Sequence, residues 1–179
     1  LVLRCVGKLC RVLLDGDGGE CDALVKGNLR LKGIRSTNPV VVGDRVELQP
    51  TREDLEHPYY ITAICPRRNY IIRKASNLSK ESHILAANID VALLVVTMIQ
   101  PETSFTFVDR FLATAEAYDI PVVLLFNKMD LYGEEENQRL AEWQSIYAPL
   151  GYPTLSISVT EGIGLEEVWP LIAGRIVLL

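Results

Sequence analysis

Histidine, metal-ligand spacing and a phosphate-binding glycine loop are what this sequence has least of. Its only histidines, His57 and His83, stand at no ligand-like spacing from the four cysteines Cys5, Cys10, Cys21 and Cys65, and no C-x-x-C pair occurs. A zinc site built from these residues is therefore not expected, and no metal ligand is assigned. The cysteines read as reduced, mostly buried thiols of a cytosolic protein. The longest apolar stretch, Val91 to Ile99, is far shorter than a membrane span, and the first residues have no signal-peptide pattern. No G-x-x-x-x-G-K-S/T string occurs either; the cluster Gly16 to Gly19 has no following Lys-Ser/Thr and reads as a hairpin turn.

What is present divides in two. With 49% apolar and 23% charged residues among 179, the chain is globular and long enough for one sizeable core or two smaller ones. Charge favours two. Residues 1–74 hold 13 Lys and Arg against 9 Asp and Glu, whereas residues 75–179 hold 5 against 14. A basic first part beside an acidic second part suggests that the first faces a polyanion, with plain solvation as the alternative.

Residues 1–65 alternate short β-rich runs with turn residues: VGKLCRVLL, DGDGG, CDALVKG, VVVGDRVELQ and YYITAIC. Several short strands without a helix predict an all-β barrel of the OB type, a common nucleic-acid-binding scaffold. Residues 66–88 read as a basic and polar linker, opened by Pro66. Its Arg67, Arg68, Arg73 and Lys74 near Tyr70, with Lys26, Arg30, Lys32, Arg35 and Arg45 of the barrel, form a candidate RNA-binding face.

From residue 89 the pattern becomes strand–helix–strand. DVALLVVTMI, PVVLLF, TLSISV and RIVLL read as buried parallel strands. Val108, Phe111, Leu112 and Ala115 recur at helical spacing, as do Leu140, Trp143, Tyr147 and Leu150 behind an acidic first turn, Glu134 to Glu136. A short helix is predicted over Leu165 to Ile172, which Pro170 should kink or shorten. Repeated β-α units imply a parallel sheet covered on both faces, with ligands beyond the carboxyl ends of its strands.

One such end carries Asn127-Lys128-Met129-Asp130, the N-K-x-D pattern of a guanine-reading loop. The Asp130 carboxylate can accept from guanine N1–H and N2–H together, a charge-assisted pair that adenine cannot return. Asn127 can reach N7 and brace neighbouring loops, and the Lys128 stem can lie over the base. One β-α unit later, Ser158-Val159-Thr160 ends the next strand, where backbone N–H groups could meet guanine O6. GTP or GDP is the ligand these residues point to. Asp109 and Arg110 read as a surface or interdomain pair, and no catalytic residue is assigned.

In an ordinary small GTPase the phosphate loop precedes N-K-x-D; here RIVLL, the strand that should lead into that loop, comes last. A circular permutation accounts for this order. With the barrel ahead of it, the chain resembles the circularly permuted GTPases of the ribosome small-subunit-dependent GTPase A (RsgA) family. The resemblance rests on GDRV at Gly43–Val46, PRRNYIIRKAS at Pro66–Ser76, AANIDVALLVV at Ala86–Val96, VDRFLATAE at Val108–Glu116, NKMDL at Asn127–Leu131 and SVTEGIGLEEV at Ser158–Val168.

The resemblance implies an OB-fold that binds 16S ribosomal RNA, a GTPase stimulated by the 30S subunit, a role in late 30S maturation, and a cytoplasmic monomer. It also implies magnesium and a structural zinc whose ligands would follow residue 179, so that this chain corresponds to the front of the family pattern. Val159 stands where the family usually has Ala, which adds bulk near the base. With base contacts alone netting about −4 kcal/mol, the 179 residues should bind GTP with a Kd on the order of 1 mM and not hydrolyse it. Two other readings remain at this point: a non-catalytic RNA-binding module with a scaffold α/β half, and a translational GTPase lacking its front.

Overall fold

The computed structural model describes residues 1–16, 18–26, 29, 39–51, 58–74 and 82–179, with the side chains of 73, 74, 82 and 83 set aside. They form two units, Leu1–Asn88 and Ile89–Leu179.

In the first unit, β1 (Val2–Val6) and β2 (Leu9–Leu13) form a hairpin that turns at Gly7 and Lys8. The run VGKLCRVLL is therefore not one strand: Gly7, at φ +61°, breaks it. The strand β3 (Glu20–Val25) continues antiparallel to β2, β5 (Tyr59–Ile64) lies parallel to β3, and β4 (Val46–Pro50) runs antiparallel to β5. The order is β1-β2-β3-β5-β4. Alternate residues Cys10, Val12, Ala23, Val25 and Ile61 pack with Val2 and Val40 into one apolar core. The two edges of the sheet approach each other, because Val2 N–H donates to the Asp44 carbonyl at 2.8 Å and Gly43 N–H to the Val2 carbonyl at 2.9 Å.

Two expectations are corrected in this unit. Residues 66–88 are not a linker throughout: they contain β6 (Tyr70–Lys74) and β7 (Ser82–Ala87), an antiparallel pair. Ile84 and Ala87 of β7 share a small core with Val41, partly covered by Tyr70 and Ile72. Gly43, at φ +87°, permits this approach, since a Cβ there would lie 2.0 Å from the Ala87 carbonyl oxygen. Nor are all four thiols reduced. Cys5 and Cys10 stand directly opposite in the β1–β2 register and are joined as a disulfide, while Cys21 and Cys65 are free and half-buried. Spacing along the chain could not reveal that register.

The second unit alternates regularly: β8 (Val91–Val96), α1 (Phe105–Ala117), β9 (Val122–Phe126), α2 (Glu134–Tyr147), β10 (Thr154–Ser156), α3 (Leu165–Ile172) and β11 (Val177–Leu178). All strand pairs are parallel, in the order β10-β9-β8-β11. Val91, Leu93, Val123, Leu125 and Ile157 point to one face and meet α3 through Leu165, Val168, Leu171 and Ile172. On the other face Phe126 meets Trp143 of α2, with ring centroids 6.3 Å apart, and Phe105 of α1 lies 5.0 Å from Trp143. Helix α1 buries Val108, Leu112 and Ala115, and Ser104 caps it by accepting from Phe107 N–H at 3.2 Å. Helix α2 buries Leu140 and Tyr147 but ends there, so Leu150 lies past it and is exposed, outside the apolar stripe assigned to it. Pro170 sits inside α3 without ending it; the helix is eight residues long. No helix among the described residues is long and apolar enough to cross a membrane.

Candidate functional site

Strands β9 and β10 are neighbours, so the segments leaving their carboxyl ends emerge side by side. The first is Asn127 to Leu131. Asn127 N–H donates to the Val96 carbonyl at 2.8 Å, which prolongs the β8–β9 ladder by one bond. Lys128 then takes a left-handed conformation, φ +71°, and a 3-10 turn over Met129–Leu131 follows. Met129 N–H donates to the Ile157 carbonyl at 3.2 Å, anchoring the turn to the chain leaving β10. The Lys128 ammonium donates to the Gln100 carbonyl in the loop after β8.

The second segment begins at Ser158, which is fully buried. Its backbone exchanges two hydrogen bonds with Ile163, each 3.0 Å, closing a small loop over residues 158–163. Gly164 ends that loop at φ +70°, and a Cβ there would stand 2.6 Å from the Ser156 carbonyl oxygen. No other residue lets the chain turn into α3 so close to the strand it has just left.

Side chains lace the two segments together. Ser158 Oγ donates to Asp130 Oδ1 at 2.5 Å and accepts from Glu161 N–H at 3.2 Å. Asn127 Oδ1 accepts from Val159 N–H at 3.2 Å. Polar groups able to meet a ligand are left over at this junction, three of them side-chain or amide groups of the motif residues. Asp130 Oδ2, Asn127 Nδ2 and the Thr160 N–H take no partner among the described residues, and Asp130 and Thr160 are exposed. They are an acceptor and two donors, at the carboxyl ends of parallel strands where ligands of α/β sheets bind.

The backbone groups of the two loops are differently engaged. The amides of Ser158 and Val159, expected to donate to a base, are engaged with Ile163 and Asn127, and it is Thr160 whose N–H remains. Ser158 acts through its hydroxyl. The backbone of Met129 holds the loop rather than facing outward: its N–H meets Ile157 and its carbonyl accepts from Tyr132 N–H at 3.2 Å. Two residues not assigned from the sequence also belong here. Tyr132 Oη donates to the Asn127 carbonyl at 2.8 Å, and burial raises its pKa above the usual tyrosine range. Gln100 holds Lys128. Asp109, set aside as a surface residue, accepts from Tyr147 Oη at 2.9 Å; burial first, and then this carboxylate, push the Tyr147 phenol well up.

The candidate RNA-binding residues of the first unit separate into three groups. Arg67 does not belong to a solvent-facing surface: its side chain is 7% exposed, and its Nε and Nη2 clasp Asp44 at 2.7 and 2.8 Å, with Nη2 also reaching the Pro39 carbonyl at 2.8 Å. Asp44 returns a further bond by accepting from Val41 N–H at 2.9 Å. Desolvating a charge requires this kind of pairing, so Arg67 is corrected from an RNA contact to the brace of the loop before β4. Lys26, Arg45 and Arg68 are exposed, Arg45 lying 3.7 Å from Asp15 and Arg68 donating to the Asn88 carbonyl at 3.1 Å. Arg30, Lys32 and Arg35, and the side chains of Arg73 and Lys74, lie outside the described residues.

Among the described residues no three His, Cys, Asp or Glu side chains gather to hold a metal ion.

A parallel α/β sheet with two interlocked polar loops on adjacent strand ends defines the class: a ligand-binding domain of the nucleotide-binding α/β type. Its neighbours narrow that class. The family model described as RsgA GTPase matches residues 64–179. A small ribosomal subunit biogenesis GTPase RsgA from Porphyromonas gingivalis is 56% identical over 163 residues, which are 91% of this chain and 51% of that protein. The crystal structure of YjeQ from Thermotoga maritima superposes with a TM-score of 0.77 at 31% identity, over 98% of this chain and 57% of that one. The structure of YloQ, a circularly permuted GTPase, superposes with a TM-score of 0.72 at 24% identity over 97% and 56%, a likeness of fold. The chain belongs to the RsgA GTPase family. It spans about half the length of the curated relatives it matches.

Proposed function

We propose that this chain carries the guanine-reading half of a circularly permuted GTP site and the RNA-binding barrel of a GTPase that assists maturation of the small ribosomal subunit. The observation that carries the nucleotide reading is the pattern left at the laced loops. The Asp130 carboxylate offers two acceptors for guanine N1–H and N2–H, Oδ2 and the second lone pair of Oδ1 beside the Ser158 hydroxyl, with Asn127 Nδ2 a donor for N7 and Thr160 N–H a donor for O6. Adenine presents the opposite pattern at positions 1 and 6, so the set favours guanine.

The barrel reading rests on the order β1-β2-β3-β5-β4, the parallel β3–β5 pair, and the bonds from Val2 to Gly43 and Asp44 that bring the edges together, the arrangement of a five-stranded OB-type barrel. Of the candidate RNA-binding residues, the described and exposed Lys26, Arg45 and Arg68 face 16S ribosomal RNA in this reading, and the partner is the 30S subunit. The relatives' names, small ribosomal subunit biogenesis GTPases, support this role; a cytoplasmic monomer is proposed with it.

GTP hydrolysis is the activity of the whole enzyme. The 179 residues contain no G-x-x-x-x-G-K-S/T loop, and such loops supply most nucleotide affinity through backbone N–H groups and a lysine. The chain by itself therefore binds weakly, with a Kd on the order of 1 mM, and does not turn GTP over. Titrating backbone amide resonances with GMP and with AMP tests this without the phosphate loop. Shifts at Asn127–Asp130 and Ser158–Glu161 that reach half-saturation at a several-fold lower concentration of GMP than of AMP are expected; equal titration curves for both would contradict it.

A further inference from the structure

The loop after β9 is held in shape by a residue outside the base-reading set. Tyr132 closes the 3-10 turn through its own N–H to the Met129 carbonyl, then folds its ring back so that Oη donates to the Asn127 carbonyl at 2.8 Å. The same oxygen accepts from Met98 N–H at 3.1 Å. One hydroxyl thus joins the loop to the second residue beyond β8.

Met98 is 2% exposed, so its backbone needs partners. Its carbonyl accepts from Arg139 Nη2 at 3.0 Å, and Arg139 is itself held by Glu102 at 2.7 Å. Side chains from Tyr132 and from α2 therefore satisfy both polar groups of Met98. Two residues further on, Gln100 presents the carbonyl that takes the Lys128 ammonium. Asn127 is consequently fixed on three sides: its N–H by Val96, its carbonyl by Tyr132, its Oδ1 by Val159.

We propose that Tyr132 is a positioning residue for base recognition: through the Asn127 carbonyl and the Met98 amide it fixes where Asn127 Nδ2 and the Lys128 stem stand. Removing the hydroxyl leaves a buried N–H and a carbonyl without their partner, and the loop relaxes to recover them. This rests on the guanine reading above.

Tyr132→Phe keeps the ring and deletes only the hydroxyl. Amide-resonance titrations of the chain with GMP and AMP, for wild type, Tyr132→Phe and Asp130→Asn, give the affinity ratio between bases. The expected result is a ratio lowered about fivefold in Tyr132→Phe. A wild-type ratio, or a parallel loss for both nucleotides, would overturn the role of Tyr132 while leaving the guanine reading intact. A wild type without GMP preference, unmoved by Asp130→Asn, would overturn the guanine reading instead. A second measurement needs no variant: hydrogen exchange of the Met98 amide in wild type should slow several-fold with saturating GMP and not with AMP. Equal exchange in both would contradict the coupling.

Discussion

Ser158 Oγ donates to Asp130 Oδ1 at 2.5 Å, fastening the loop that ends β10 to the loop that ends β9. The bond selects one orientation of the Asp130 carboxylate and leaves its other oxygen outward. An exposed carboxylate without such a tether would sample several rotamers and lose entropy on meeting a base. Preorganisation is thus the contribution of Ser158, and it is made through the side-chain hydroxyl.

Ser158→Ala removes that donor and also the acceptor for Glu161 N–H. Stability of the second unit should fall by about 1 kcal/mol, the net worth of a hydrogen bond of this kind. GMP affinity should fall by a larger factor than stability accounts for, roughly three- to tenfold. Urea unfolding followed by tryptophan fluorescence reads the first, because both tryptophans, Trp143 and Trp169, belong to this unit. The titration reads the second, and unchanged affinity would contradict the tether.

Arg67 and the exposed cations of the first unit should behave differently on substitution. Arg67→Ala strands the fully buried Asp44 carboxylate and should cost about 3 to 5 kcal/mol, seen in denaturant unfolding by circular dichroism. Lys26→Gln, Arg45→Gln and Arg68→Gln together should leave stability nearly unchanged. They should lower the slope of log affinity against log salt for 16S ribosomal RNA by about 2. An unaltered slope would remove these residues from the RNA face.

The Tyr147–Asp109 pair sets a pH dependence. Burial and the Asp109 carboxylate hold the folded Tyr147 pKa above the value of about 10 expected in the unfolded chain. Below about pH 10 both states keep the phenolic proton and the contribution is complete; above it the unfolded state releases its proton first, and stability falls as pH rises. Tyr132, shifted in the same direction, adds to the trend, so the informative quantity is a difference. Between pH 8 and 11 the urea midpoint of wild type should fall more steeply than that of Tyr147→Phe. Parallel curves would contradict the linkage.

The parallel sheet was legible because its strands are short apolar runs bounded by turn residues, and because Val108, Leu112 and Ala115 repeat with the helical period. The first unit was less so. β1 precedes the runs that read as strands, the Gly7 turn lies inside one of them, and β6 and β7 lie beneath a basic and polar composition. Arg67 reads as a surface charge until Asp44, 23 residues away, is placed against it. The N-K-x-D loop announced its chemistry, yet the groups that orient it do not: Tyr132 reaches back five residues to Asn127 and 34 to Met98, contacts that no local pattern encodes. Gly164 is a similar case, since its necessity comes from the Ser156 carbonyl 2.6 Å from where a Cβ would be.

The most direct test of the guanine-reading assignment is the base preference of Asp130→Asn. An amide at this position keeps one acceptor for the ring N1–H and turns the other oxygen into a donor, which fits the 2-oxo group of xanthine and repels the 2-amino group of guanine. In paired titrations with GMP and XMP, wild type should prefer GMP and Asp130→Asn should prefer XMP, the ratio inverting by about 10² or more. Retention of the wild-type preference for GMP in Asp130→Asn would contradict the assignment.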